Sequence, residues 1–434
     1  MADQLTFVLR GGRLVDPASG HDRGADLLVS EGRVAAVGLE ATAAGATVVD
    51  CDGLVIAPGL VDLHTHLRQP GREDKETVET GSRSAAAGGY TAITAMANTD
   101  PVADNASVVE EVRALGERAG LCEVHPVGAI TRGLLGESLA EIGEMAAAGV
   151  RIFSDDGRCV QRARLLRLAL EYARAFDVVV AEHCEDESLA EGTQMHEGYS
   201  SSVLGLAGQP REAEEVIVAR DVRLARLTGG RLHLCHLSAA GSVEQVRRAR
   251  QQGIRVTSEV TPHHLALSDE DLAGYDTNLK VNPPLRSEED REALRRGLAD
   301  GTIDVIATDH APHAVEEKEQ EFDRAPPGTV GLETALAVAL TELVHPGIAP
   351  LHRVVEAMST LPARILGAAG HGGPVEAGAV ANLVAFDPDA EWVVEAPFAS
   401  RSRNSAFLGR LLRGRVVHTV FRGELVVEGG KPQR

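Results

Sequence analysis

Lysine is almost missing from this 434-residue chain. Only four of its 43 basic residues are lysine (Lys75, Lys280, Lys318 and Lys431); the others are arginine. The bias reads mainly as genome composition, although arginine-rich surfaces also occur in heat-tolerant proteins. Aromatic residues make up only 3%, with a single tryptophan. The core therefore has to be built from Ala, Val, Leu and Ile, which suits tightly packed α/β layers better than an aromatic-rich sandwich. The five cysteines, Cys51, Cys122, Cys159, Cys184 and Cys235, are odd in number and scattered, with no C-x-x-C. That pattern argues against a disulfide framework or a zinc knuckle and fits a reducing, cytoplasmic compartment. No apolar run approaches the roughly 18 residues of a membrane span. The opening "MADQLTFVLRGG" has no basic stretch before an apolar core, so no secretory leader is expected. Positive charge is also in deficit: the formal net charge is −21. This opposes general nucleic-acid binding, which needs a basic footprint. An anionic substrate would need positive charge gathered locally.

What remains is an ordinary globular composition, 44% hydrophobic and 25% charged. The length allows one large domain with an appendage, or two to three smaller ones. Both ends read as short strands with turns, "LTFVLRGGRLVD" and "ATVVDCDGLVIAPG" at the start and "LLRGRVVHTVFRGELVVEGG" at the finish. The middle alternates β-like runs with Ala/Leu/Arg/Glu helical stretches. Eight such runs fall at 60–66, 91–98, 122–130, 150–157, 178–186, 231–238, 254–265 and 303–313. Repeated βα units imply parallel strands, and eight of them with a last helix, "GLETALAVALTELV", predict a closed (β/α)8 barrel. An open doubly wound sheet is the alternative that periodicity leaves standing. The segment 313–331, charged and then rich in Pro and Gly, reads as a long loop after the eighth strand.

Barrel enzymes carry their chemistry at the C-terminal ends of the strands. Ligand-type residues collect there: His64 and His66 on the first run, Asp155 and Asp156 on the fourth, His183 on the fifth, His236 on the sixth and Asp309 on the eighth. A lone H-x-H is weak evidence. Five strand ends offering imidazole and carboxylate together predict a centre for zinc or a related divalent metal, with room for two ions. Strand alternation turns Cys184 and Cys235 away from the axis, as small packing residues. His21, His345, His352, His371 and His418 are expected at the surface, and His125 and His233 buried and hydrogen-bonded. His263 and His264 are weaker candidates for the barrel mouth.

Taken together, "VDLHTHLRQPG", "FSDDG", "AEHCED", "HLCHLSAAG", "NPPLR", "TDHAPH" and "GLET" resemble the dihydroorotases of the amidohydrolase superfamily. The resemblance runs nearly the whole length. It implies a TIM-type barrel over 58–370 and a small composite β-sandwich built from 1–57 and 371–434. Many relatives, hydantoinases and allantoinases among them, bridge two metals with a carboxylated lysine. No lysine lies between Lys75 and Lys280, so the chain resembles the branch that bridges with aspartate.

Carried over from that branch, His64, His66 and Asp309 would bind one ion, His183 and His236 the second, and Asp156 rather than Asp155 would bridge. Two divalent ions, expected as Zn2+, would share a hydroxide, with Asp309 as general base and acid. Arg68 matches the position that holds the substrate carboxylate. His66, Asn98, Asn282, His313, Pro327 and Gly328 match other substrate contacts. Where relatives often carry an aromatic directly before that glycine, this chain has Pro327, which has no N–H to donate. The implied reaction is reversible cyclisation of N-carbamoyl-L-aspartate to L-dihydroorotate in pyrimidine synthesis. Two alternatives are another cyclic amidohydrolase, such as an allantoinase, and a scaffold subunit for aspartate carbamoyltransferase. A homo-oligomer is expected, and partnership with aspartate carbamoyltransferase is left open.

Overall fold

The computed structural model describes residues 6–38, 41 and 43–434. Residues 1–5, part of the stretch read for a secretory leader, lie outside the described residues. Eight short parallel strands close a barrel in chain order. Leu60–Asp62, Tyr90–Ala95 and Glu123–Pro126 pair in succession. Ile152–Ser154, Val179–Glu182, Arg231–Leu234, Val256–Val260 and Val305–Ile306 form the rest of the ring. The parallel bridges Gly128 to Phe153 and Thr65 to His310 join the two arcs. Each of the eight predicted runs overlaps one of these strands, the second starting one residue late at 91. The barrel alternative is therefore the one adopted.

Strands covered on both faces have no reason to alternate polar with apolar. Tyr90–Ala95 and Val179–Glu182 are accordingly buried at every position. The helices between them carry one apolar stripe each. Ala163–Ala173 buries Leu165, Leu166, Ala169, Leu170 and Ala173 and leaves Arg164, Arg167 and Glu171 outside. Each such leucine contributes about 2 kcal/mol of burial. Inside the barrel the side chains are small: Val61, Ala92, Ile152, Val179, Ala181, Val305 and Ala307. Ala363, Ile365 and Leu366 of the helix Leu361–Leu366 join that cluster. An apolar cluster thus lies beneath the polar centre at the strand C-termini.

The two chain ends share one nine-stranded sheet. Its joint is Val55–Pro58, paired on one side with Phe7–Asp16 and on the other with Leu383–Val393. Val29, Val34, Ile56, Leu383 and Val420, far apart in strand order, belong to one apolar cluster, so the sheet curls round its own core. The C-terminal portion is not confined to that sheet. Between Leu383–Val393 and Leu411–Phe421 it reaches back over the barrel. There Ser400 bonds Glu76, Ser402 bonds the carbonyl of Lys75, and Asn404 bonds Ala311 and Gly328. Among the described residues no helix is long and apolar enough to cross a membrane.

Three expectations about histidines fail. His125 is only partly buried, and its Nε2 has no hydrogen-bond partner among the described residues. His371 and His418 are buried rather than at the surface. His371 is held by Thr91, Glu123 and Asn382, partners up to 280 residues away that a local pattern does not show. All five cysteines are free and buried.

Candidate metal and substrate site

His64, His66, Asp156, His183, His236 and Asp309 converge at the C-terminal mouth of the barrel, and all six are buried. Asp156 lies between two groups of ligand atoms. Its Oδ2 is 3.2 Å from His64 Nε2 and 3.4 Å from His66 Nε2. Its Oδ1 is 3.2 Å from His236 Nε2 and 3.6 Å from His183 Nδ1. Asp309 Oδ1 completes the first group, 3.1 Å from His66 Nε2 and 3.6 Å from His64 Nε2. In the second, His183 Nδ1 and His236 Nε2 are 2.9 Å apart.

These separations fit divalent ions. Four ligands at zinc-like bond lengths around a tetrahedral ion stand about 3.3 Å from one another. His64 Nε2 gives an independent indication: it is fully buried and makes no hydrogen bond. A buried imidazole nitrogen without a partner is costly unless something else takes its lone pair. The field is set for a cation as well. Burial opposes charge on His183, yet Asp156 and Glu185 outweigh it and raise its pKa to about 10. Burial alone would raise Asp309, but His64, His66 and His236 hold its carboxyl well below the usual range.

Asp155, the neighbour of the bridging candidate, is turned the other way. Its carboxylate accepts from the N–H groups of Ile130 and Thr131 and from the Thr131 hydroxyl. It ties the fourth strand to the turn after the third.

Backbone strain marks the site. Arg68, His236 and Asp309 have φ of 62°, 27° and 46°, three of the eight non-glycine residues with positive φ among those described. Such conformations cost about 1 kcal/mol or more each and persist where the surroundings enforce them. The value at His236 corrects one expectation. Cys235 does not turn away from the axis. It packs in the barrel interior beside His64 and Glu259, while Leu232 and Leu234 face the helices. The strand ends at Leu234, and the positive φ of His236 lets that histidine reach the centre out of step.

Glu259 is a residue the sequence reading missed. It accepts from His64 Nδ1 at 2.6 Å, from His233 Nε2 at 3.0 Å and from the backbone N–H of His236 at 3.2 Å. Its fully buried carboxylate sets the ring orientation and tautomer of His64, so that Nε2 faces Asp156. The signal was present: a glutamate in the middle of the strand Val256–Val260, where solvent does not reach. Glu259→Gln is expected to lower metal affinity or turnover about 10- to 100-fold. Metal titration of the purified variant checks this, and wild-type affinity would remove the role.

The substrate candidates ring the same mouth. Arg68 donates through Nε to the carbonyl of Pro312 at 3.2 Å, with no carboxylate in ion-pair range among the described residues, so the outer edge of its guanidinium is uncommitted. Burial lowers its pKa to about 10, leaving it charged at neutral pH. Asn98 Oδ1 is 3.0 Å from His66 Nδ1, and Asn282 Nδ2 is 3.3 Å from His183 Nε2. His313 Nε2 donates to the carbonyl of Pro327 at 2.9 Å, and its Nδ1 is 3.1 Å from Glu317 Oε2. The N–H of Gly328 is taken by the carbonyl of Lys280 at 2.8 Å. Pro327 and Gly328 therefore present no free backbone donor. Glycine is required at 328, because at φ 140° a Cβ would sit 2.9 Å from the His313 ring. His263 lies in the same region, buried, with Nε2 unpartnered and its pKa pushed down to about 4 by burial. His264 is bound to Thr261 and the carbonyl of Pro283.

Comparison with known proteins agrees with this architecture. The family described as dihydro-orotase-like matches residues 53–242. The chain is 54% identical to a dihydroorotase of Leifsonia xyli subsp. xyli, over 99% of this chain and 98% of that one. It is 56% identical to a dihydroorotase of Streptomyces coelicolor, over 94% and 96% of the two chains. Among solved structures it resembles the L-hydantoinase (dihydropyrimidinase) from Arthrobacter aurescens, with a TM-score of 0.88 at 28% identity over 99% and 98% of the chains. Barrel, composite sheet and full-length similarity converge: the chain belongs to the dihydroorotase family of cyclic-amide hydrolases.

Proposed function

We propose that this chain catalyses the reversible cyclisation of N-carbamoyl-L-aspartate to L-dihydroorotate and water. The observation that carries the mechanism is Asp156, whose two carboxylate oxygens face two different pairs of histidines. His64, His66, Asp156 and Asp309 would hold one divalent ion, and His183, His236 and Asp156 a second. Zn2+ is the ion this nitrogen and oxygen donor set suits best. When bound, such ions supply Lewis acidity, which lowers the pKa of water and polarises a carbonyl.

The chain's own groups account for the rest. In the hydrolytic direction water attacks the ring amide carbonyl, and Asp309 takes its proton. The ring C–N bond breaks as the nitrogen receives that proton from Asp309, and the new carboxylic acid gives up its remaining proton to solvent. In synthesis the same steps run in reverse. A carboxylate serves here because neighbouring charges, rather than its intrinsic pKa, set its basicity. Arg68 offers the planar two-pronged donor that matches a carboxylate. Asn98, Asn282 and His313 would line the remaining substrate edge. Pro327 and Gly328 would act by placing His313.

Arg68→Ala is expected to raise KM for N-carbamoyl-L-aspartate by about tenfold to a hundredfold, with a smaller change in kcat, because a charge-assisted hydrogen bond is worth about 1.5–3 kcal/mol. Steady-state kinetics on the purified variant test this. An unchanged KM would remove the carboxylate-binding role.

A further inference from the structure

Three of the four lysines in this arginine-dominated chain meet at one place, the loop over 313–331. All three are buried. Lys318 donates to the carbonyls of Pro326 at 2.9 Å and Gly328 at 3.0 Å, on either side of Pro327. Lys280 donates to Gln194 Oε1 and to the carbonyl of Phe322, both at 2.6 Å, and its own carbonyl takes the N–H of Gly328. Lys75 bonds Glu317 Oε1 at 2.6 Å, and the other oxygen of Glu317 faces His313. The ammonium groups of Lys280 and Lys318 are met by amide and peptide oxygens, not by carboxylates. No carboxylate among the described residues bonds either of them, and burial pushes the pKa of Lys318 down to about 7 and lowers that of Lys280.

We propose that Lys318, assisted by Lys280, is a positioning residue for substrate affinity. It clamps the carbonyls flanking Pro327 and so sets the Pro327 carbonyl and Gly328 against His313. This inference deepens the proposed function and rests on it. Two features distinguish it from loop packing. The clamped atoms lie directly beside the Pro327 carbonyl that His313 contacts, rather than at the loop's outer turn. The second is electrostatic: burial first, then Arg68 and Lys318, push His313 down to about 3 against the opposing bond to Glu317. In a chain of net charge −21, Arg68 and the protonated fraction of Lys318 gather here the positive charge that a substrate with two carboxylates needs. A compact ammonium can bond two carbonyls two residues apart, whereas a planar guanidinium is wider and presents its donors in a fixed fork. Arginine, the chain's usual cation, would therefore not serve at this position.

The test uses full-length, Zn2+-loaded protein with Lys318→Met, Lys318→Gln and Lys318→Arg. Gln is included as a shorter, uncharged donor should Met fail to fold. Met and Gln are expected to raise KM for N-carbamoyl-L-aspartate about tenfold or more, with kcat within about threefold of wild type. Arg is expected not to restore KM. Trypsin should cut faster after Arg324, an exposed residue of the same loop, in the variants than in wild type. Unchanged KM and cleavage rate, a loss confined to kcat, or full rescue by Arg would each overturn the proposal. The cleavage comparison needs no substrate. Inactive wild-type protein would therefore count against the proposed function, while the clamp would still be decided by trypsin.

Discussion

Asp309→Asn lowers kcat by about a thousandfold or more, the scale of a lost general base, while the chain stays folded. The carboxamide has nearly the volume of the carboxylate, so the positive-φ turn at 309 and the packing around it are kept. What disappears is the ability to accept and return a proton. Asp309 Oδ1 lies 3.1 Å from His66 Nε2 in the first ligand group, so the variant's metal content has to be measured beside its kinetics. A folded, metal-loaded Asp309→Asn protein with near-normal kcat would refute the base assignment.

Asp156→Asn is expected to act on both halves of the centre together. An amide has one oxygen, and its NH2 repels a cation. Both histidine pairs lose the negative charge, and whichever way the amide turns, one of them also loses its oxygen ligand. Bound metal should fall by at least one ion per chain, with turnover down about a thousandfold or more, as for removal of a group acting with its neighbours as a unit. Asp155→Asn is the control. Its carboxylate satisfies two backbone N–H groups and a threonine hydroxyl, so its loss should lower thermal stability and leave the metal stoichiometry unchanged. Equal metal loss in both variants would mean that the division of labour between the two aspartates is wrong.

Much of this was legible in the sequence, for a specific reason. Parallel barrel strands are mostly apolar, so a histidine or aspartate at the end of such a run stands out, and five runs ended that way. His64, His66, Asp156, His183, His236 and Asp309 were therefore all found as candidates, and the structure brings them together. The choice of Asp156 over Asp155 came from the family resemblance; the structure shows the Asp155 oxygens taken by Ile130 and Thr131. Cys235 was misplaced because alternation was carried past the end of its strand, into a residue whose φ is positive. The partners of Glu259 and of buried His371 were not legible for another reason. Each residue depends on partners distant along the chain: Glu259 on His64, 195 residues away, and His371 on Thr91, 280 away. Local patterns place residues on strands and loops; they do not say which buried groups will meet.

The most direct test of the central claim is a single preparation on which two quantities are measured: turnover between N-carbamoyl-L-aspartate and L-dihydroorotate, and divalent metal bound per chain. The account predicts turnover in both directions that rises with bound metal, is lost on chelation and returns when the ions are restored. Full turnover in protein stripped of metal, or no turnover with both ions bound, would contradict it.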